Sequence, residues 1–129
     1  MINTQNSQII QNRQILIASQ DPDLCETIAI LIRIMKWGEA HCANNKDEAI
    51  PYLDLKPVDV LIIDLLFPSI VDCSDVLQHR HPDVKVIILT PLTIENTNQI
   101  IEEELWQPIY ELNVIQIPFT IEDLDAILH

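Results

Sequence analysis

Val58-Asp59-Val60-Leu61-Ile62-Ile63-Asp64-Leu65-Leu66-Phe67-Pro68 is an apolar, β-rich run that ends abruptly in a carboxylate, with a proline four residues later. A run without polar alternation reads as a strand covered on both faces, the centre of a parallel sheet. Asp64 then stands at or just past the carboxyl end of that strand. Ligands and chemistry collect at this edge in open α/β sheets.

On either side of this segment the chain alternates strand and helix. Gln14 to Ala18 is a short apolar strand, and Asp21-Pro22-Asp23 supplies an N-cap with proline at the first helical position. Leu24, Ile28, Leu31 and Met35 follow at helical spacing, with Gly38 expected as the C′ residue that ends the helix. Glu39 to Ala43 reads as a weak second strand. Lys46 to Leu55 reads as a short helix disturbed by Pro51. The third strand is Val58 to Ile63, followed by a helix over Asp72 to Arg80 that His81-Pro82 stops. Val84 to Leu89 is a fourth strand, Glu95 to Gln107 a helix ended by Pro108, and Val114 to Ile117 a fifth strand. Thr120 caps a last helix, Ile121 to Leu128, with Asp123 as its capping-box acid. Such alternation predicts βαβ units with right-handed crossovers. The expected fold is a single three-layer, doubly wound α/β domain over 13–129, preceded by a polar tail over 1–12.

Composition narrows the function. The chain has 129 residues, 48% of them apolar, enough for one packed core. Gly38 is the only glycine, and neither GxGxxG nor a GKS/T triplet occurs, so a glycine-built phosphate cradle is excluded. The net charge is −13, from 20 acids against 7 bases. Affinity for nucleic acid and anionic lipid comes from Lys and Arg, so neither is an expected partner, and a charged partner surface is expected to be basic. The three cysteines, Cys25, Cys42 and Cys73, form no CxxC motif and read as buried free thiols in a reducing cytosol. No secretory leader is evident. The longest apolar stretch, Ile28 to Met35, is broken by Arg33 and too short to span a bilayer, so a cytoplasmic location is expected.

Several landmarks resemble the receiver domain of bacterial response regulators. They are the polar turn and Asp-Pro-Asp after the first strand, the strand ending in Asp64 with Pro68 four on, the strand ending in Thr90, and Ile117-Pro118-Phe119 after the last strand. The resemblance implies a flavodoxin-like, five-stranded parallel sheet in the order 2-1-3-4-5. It makes Asp64 the phosphoacceptor equivalent and Thr90 the switch equivalent, and it implies a cis peptide bond at Ile117-Pro118.

The departures bear on chemistry. Receivers carry two adjacent acids after the first strand, which hold Mg²⁺ together with the phosphoacceptor; here those positions read Ser19 and Gln20. Ile117 replaces the family's lysine, Val114 its aromatic switch residue, and Pro91 the small residue after the switch threonine. The stretch from Thr90 to Ile117 is longer than usual by about one helical turn. Mg²⁺ wants carboxylates and water in near-octahedral array, so Asp64 with a neutral amide is a poor cage. A charge pair near a protein surface is worth up to ~4 kcal/mol. Losing the lysine forfeits a charge-assisted hydrogen bond of about 1.5–3 kcal/mol. At tenfold for each ~1.4 kcal/mol, phosphorylation is expected to be slow by orders of magnitude.

Other residues invite sharper readings and receive plainer ones. Asp21 is better placed as a helix cap than as a metal ligand. Asp64 can serve as a vestige that caps a turn or accepts from Ser19, and Thr90 as a strand-end hydroxyl. His79 and His81 beside Asp83 read as a surface turn rather than a zinc site. His41 reads as a packed or edge residue. No basic neighbour activates Cys25 or Cys73, so both read as packing residues. Ile30 and Ile34 flank the stripe of the first helix and are expected to pack against the last. On the fourth helix, Thr97, Ile101 and Leu105 read as the inward stripe. Trp106 projects to its polar side with Tyr110 nearby, making the two partner-binding candidates. The alternative folds Trp106 down over the lengthened loop.

The expected function is that of a pseudo-receiver: a stand-alone, receiver-like signalling domain ending after its fifth helix. It would work by protein–protein contact, without phosphorylation, and would not be an enzyme. No cofactor or metal is expected; Mg²⁺ enters only if a histidine kinase phosphorylates Asp64 in a working two-component response regulator. That rival stays open, as do a small-molecule binder at the sheet's carboxyl edge and an oligomerising module.

Overall fold

A computed structural model describes residues 13–68, 70–102 and 111–128. Trp106 and Tyr110 lie outside the described residues, as do the tail over 1–12 and Leu105. The elements are β1 (Gln14–Ala18), α1 (Pro22–Met35), β2 (Glu39–Ala43), α2 (Lys46–Leu55), β3 (Val60–Asp64), α3 (Ile70–Arg80), β4 (Lys85–Thr90), α4 (Ile94–Ile100), β5 (Glu111–Gln116) and α5 (Ile121–Leu128). All strand pairs are parallel, as the alternation predicts, and the sheet order is β2-β1-β3-β4-β5, as the resemblance implies.

The sheet divides the core in two. Leu16, Leu61, Ile63, Val86 and Ile88 face α2 and α3, meeting Ala49, Leu53, Cys73 and Leu77. Ile15, Ile17, Ile62, Ile87 and Leu89 face α1 and α5, meeting Cys25, Ile28, Ile32, Leu124 and Leu128. β3 and β4 are buried on both faces, which is why their sequences carry no polar alternation.

Local signals set most boundaries. Asp21 accepts from the amides of Asp23 and Leu24 at 3.0 and 3.3 Å, opening α1 at Pro22. α5 has both halves of a capping box: Thr120 N–H donates to Asp123 Oδ2 at 2.8 Å, and Asp123 N–H to Thr120 Oγ1 at 3.2 Å. Ile117-Pro118 is cis, as the resemblance implied.

Several expectations need correction. α1 is ended by Lys36, which takes the left-handed conformation at φ 58°, and not by Gly38. The glycine is needed two residues on, at φ 157°, where a Cβ would stand 2.4 Å from the Arg13 carbonyl oxygen. Ile30 and Ile34 do not pack on α5; they are exposed, as is Met35. The buried stripe of α1 is Cys25, Ile28, Ala29 and Ile32, which turns Ile30 and Ile34 outward. Contact with α5 runs instead through buried Trp37, whose Nε1–H donates to Asp125 at 3.2 Å. α2 continues through Pro51, which lies on its exposed side. β3, α3 and β5 are shifted or extended by two or three residues relative to the expected bounds. Cys42 is exposed rather than buried.

Candidate functional site at the carboxyl edge of the sheet

The carboxyl ends of β1, β3 and β4 bring Ser19, Asp64 and Thr90 to one edge. The β1–β3 register pairs Ala18 with Ile63, so the next residues, Ser19 and Asp64, emerge side by side. Ser19 is fully buried; its Oγ donates to Asp64 Oδ2 over a long 3.4 Å and accepts from the Asp21 amide at 3.1 Å. Asp64 Oδ1 accepts from the Leu66 amide at 3.0 Å, closing a turn at the end of β3. The carboxylate therefore performs both of its plain roles, turn cap and acceptor from Ser19.

The surrounding donors are neutral. Gln20 is exposed, and Asp21 spends its carboxylate on the amides of α1. Ile117, just past β5, is half-buried against the α1/α5 core and brings no charge. Among the described residues no three His, Cys, Asp or Glu side chains group as metal ligands. An Mg²⁺ ion at Asp64 would meet one carboxylate and one hydroxyl already engaged, which does not match its preferred donor set.

Thr90 is held away from solvent by a chain of hydroxyls. It is fully buried, accepts from the Leu92 amide at 3.0 Å and lies 2.8 Å from the buried Thr97 hydroxyl. Thr97 in turn donates to the Thr93 carbonyl at 2.9 Å, while Thr93 caps α4. This chain was not anticipated; its signal is the Thr93/Thr97 pair at one-turn spacing beyond a strand-end threonine. Val114 packs against the α2/α3 core without an aromatic ring.

Asn44 was also missed. Its Nδ2 donates to the Ser19 carbonyl at 3.0 Å and lies 3.4 Å from Cys25 Sγ, tying the β2 end to the Ser19 turn. The three described histidines have partners of their own: His79 Nδ1 pairs with the Asp75 carbonyl, His81 Nε2 with the Leu53 carbonyl, and His41 Nε2 with Gln14 Oε1. Burial pushes the Cys73 thiol up to about 11, with Asp72 adding to it, so it is an inert packing group.

No family model matches the chain, and no curated protein matches it by sequence. Solved structures do match. The receiver domain of Francisella response regulator 1452 superposes with a TM-score of 0.71 at 21% identity, covering 91% of this chain and 93% of that one. Vibrio cholerae chemotaxis protein CheY4 gives 0.75 at 17% identity, covering 91% and 96%. The receiver domain of sensor histidine kinase PA1611 from Pseudomonas aeruginosa, with magnesium coordinated in its active-site cleft, gives 0.72 at 15% identity, covering 91% and 94%. The fold is thus that of response regulator receiver domains.

Proposed function

We propose that this receiver-fold chain is a signalling domain that acts through protein–protein contact, without phosphoryl transfer and without enzymatic activity. The observation that carries the reading is the Asp64 carboxylate at the sheet edge, which takes the Ser19 hydroxyl while the nearby Asp21 carboxylate is engaged by the amides of α1, with neutral Gln20 and Ile117 standing where the resemblance would put an acid and a lysine. The fixed hydroxyl chain at Thr90 adds to it, since a switch threonine has to leave its resting partners to reach a phosphoryl group.

A groove of about 480 Å³ between the described part of α4 and α5, over β5, supports contact with a protein. Ile94, Val114, Pro118 and Ile127 line it together with Glu122 and Asp123. Exposed Ile94 and Ile121 lie on or beside this face. With a net charge of −13, the partner surface is expected to be basic around an apolar centre. Incubation with Mg²⁺ and acetyl phosphate, followed by intact mass measurement, tests the reading. No added phosphate is expected; a phosphate lost in Asp64→Asn would overturn it.

A further inference from the structure

Cys25 and Cys42 come from different elements and meet on the α1 side of the sheet. In the β1–β2 register Cys42 pairs with Ile17. Ala40 packs into the α1/α5 core and Ala43 into the opposite one, so strand alternation directs Cys42 toward α1. Cys25, near the start of α1, places its Sγ 3.6 Å from the Ile17 carbonyl oxygen and 3.7 Å from that of Ser19. Both cysteines thus adjoin Ile17 on the same face of the sheet, and each thiol perturbs the ionisation of the other. Cys25 is buried and Cys42 is open to solvent. Cys73 lies in the other core.

We propose that Cys25 and Cys42 form a reversible dithiol–disulfide couple whose oxidation acts on the turn that carries Ser19 to Asp64. The oxidant is a small disulfide. The Cys42 thiol loses its proton and attacks one sulfur of that disulfide, expelling one small thiolate and leaving a mixed disulfide. Cys25 then loses its proton and attacks the Cys42 sulfur, expelling the second small thiolate. Two protein thiols are oxidised and one small disulfide is reduced to two thiols. Burial pushes the Cys25 thiol up to about 12 and raises Cys42 as well, so exchange is slow and starts from the exposed sulfur.

The consequence for the site follows from the contacts. A disulfide removes the Cys25 S–H that faces the Ile17 and Ser19 carbonyls and draws its sulfur toward β2. Asn44, bound to both the Ser19 carbonyl and Cys25, moves with it. Ser19 donates to Asp64, so the change reaches the edge whether or not Asp64 ever takes phosphate.

The test is prolonged incubation of the reduced full chain with oxidised glutathione, without air. The protein is expected to lose two hydrogens without retaining glutathione, and digestion without reductant should yield a Cys25 peptide joined to a Cys42 peptide. A dithiol reductant should reverse this, Cys42→Ser should abolish it, and Cys73→Ser should leave it unchanged. The Ser19 and Leu66 amide resonances should shift on oxidation. A stable glutathione adduct on Cys42 with Cys25 free, or no reaction of the folded chain, overturns the couple. A disulfide that leaves both resonances in place overturns its action on the site.

Discussion

Asp64, Ser19 and Thr90 lie at the carboxyl edge of the sheet; Asp64 takes the Ser19 hydroxyl and the Leu66 amide, and Thr90 pairs with the Thr97 hydroxyl. The buried hydroxyl pair gives a direct prediction. Thr97→Val leaves the Thr90 hydroxyl without its side-chain partner, and unfolding by urea should show a loss of about 1–3 kcal/mol. Gly38→Ala meets a backbone carbonyl that cannot retreat and a positive φ, so its loss should be at least about 2 kcal/mol. Asp64 was legible because an acid ending an apolar strand is conspicuous. The partners of Thr90 were not, because the bond depends on how α4 packs over the strand end. Lys36 was also illegible as a helix terminator: a nearby glycine drew the assignment, while close approach to Arg13 is a tertiary demand that local sequence does not display.

At the scale of elements, the strand–helix alternation and its caps carried the fold. Apolar runs in β3 and β4, the Asp21-Pro22 start and the Thr120/Asp123 box are local signals, and the structure contains each of them. The facing of α1 was less legible. With Ile28, Ile30, Leu31, Ile32 and Ile34 all apolar, the phase of the stripe is ambiguous, and only packing selects Cys25, Ile28, Ala29 and Ile32. The approach of Cys25 to Cys42 likewise depends on strand register. Pro51 leaves the Asp47 carbonyl without its helical donor, so Pro51→Ala should stabilise the fold by about 1–3 kcal/mol, read as a raised Tm. Thr120→Ala, which removes the cap of α5, should cost about 1 kcal/mol in the same assay.

The whole molecule joins two cores through one sheet and carries a large negative charge. Its stability should respond to alkaline pH. Burial pushes Cys25 up to about 12 and Cys73 up to about 11 from an ordinary 9.0, so the folded state holds protons that the unfolded state releases. The stability this contributes is complete below pH 9.0 and is lost as pH rises toward 11 to 12. The urea midpoint should therefore fall between about pH 8 and about pH 10, and less steeply in Cys25→Ala. No helix among the described residues is long and apolar enough to cross a membrane.

The proposed function requires that this edge not hold a phosphoryl group together with Mg²⁺. Fluorine NMR with Mg²⁺ and beryllofluoride at millimolar concentration tests it most directly, because that anion reports a phosphoryl site without requiring transfer. Only free fluoride species and unchanged Ser19, Leu66 and Thr90 amide resonances are expected. A bound resonance that requires Mg²⁺ and disappears in Asp64→Asn would contradict it.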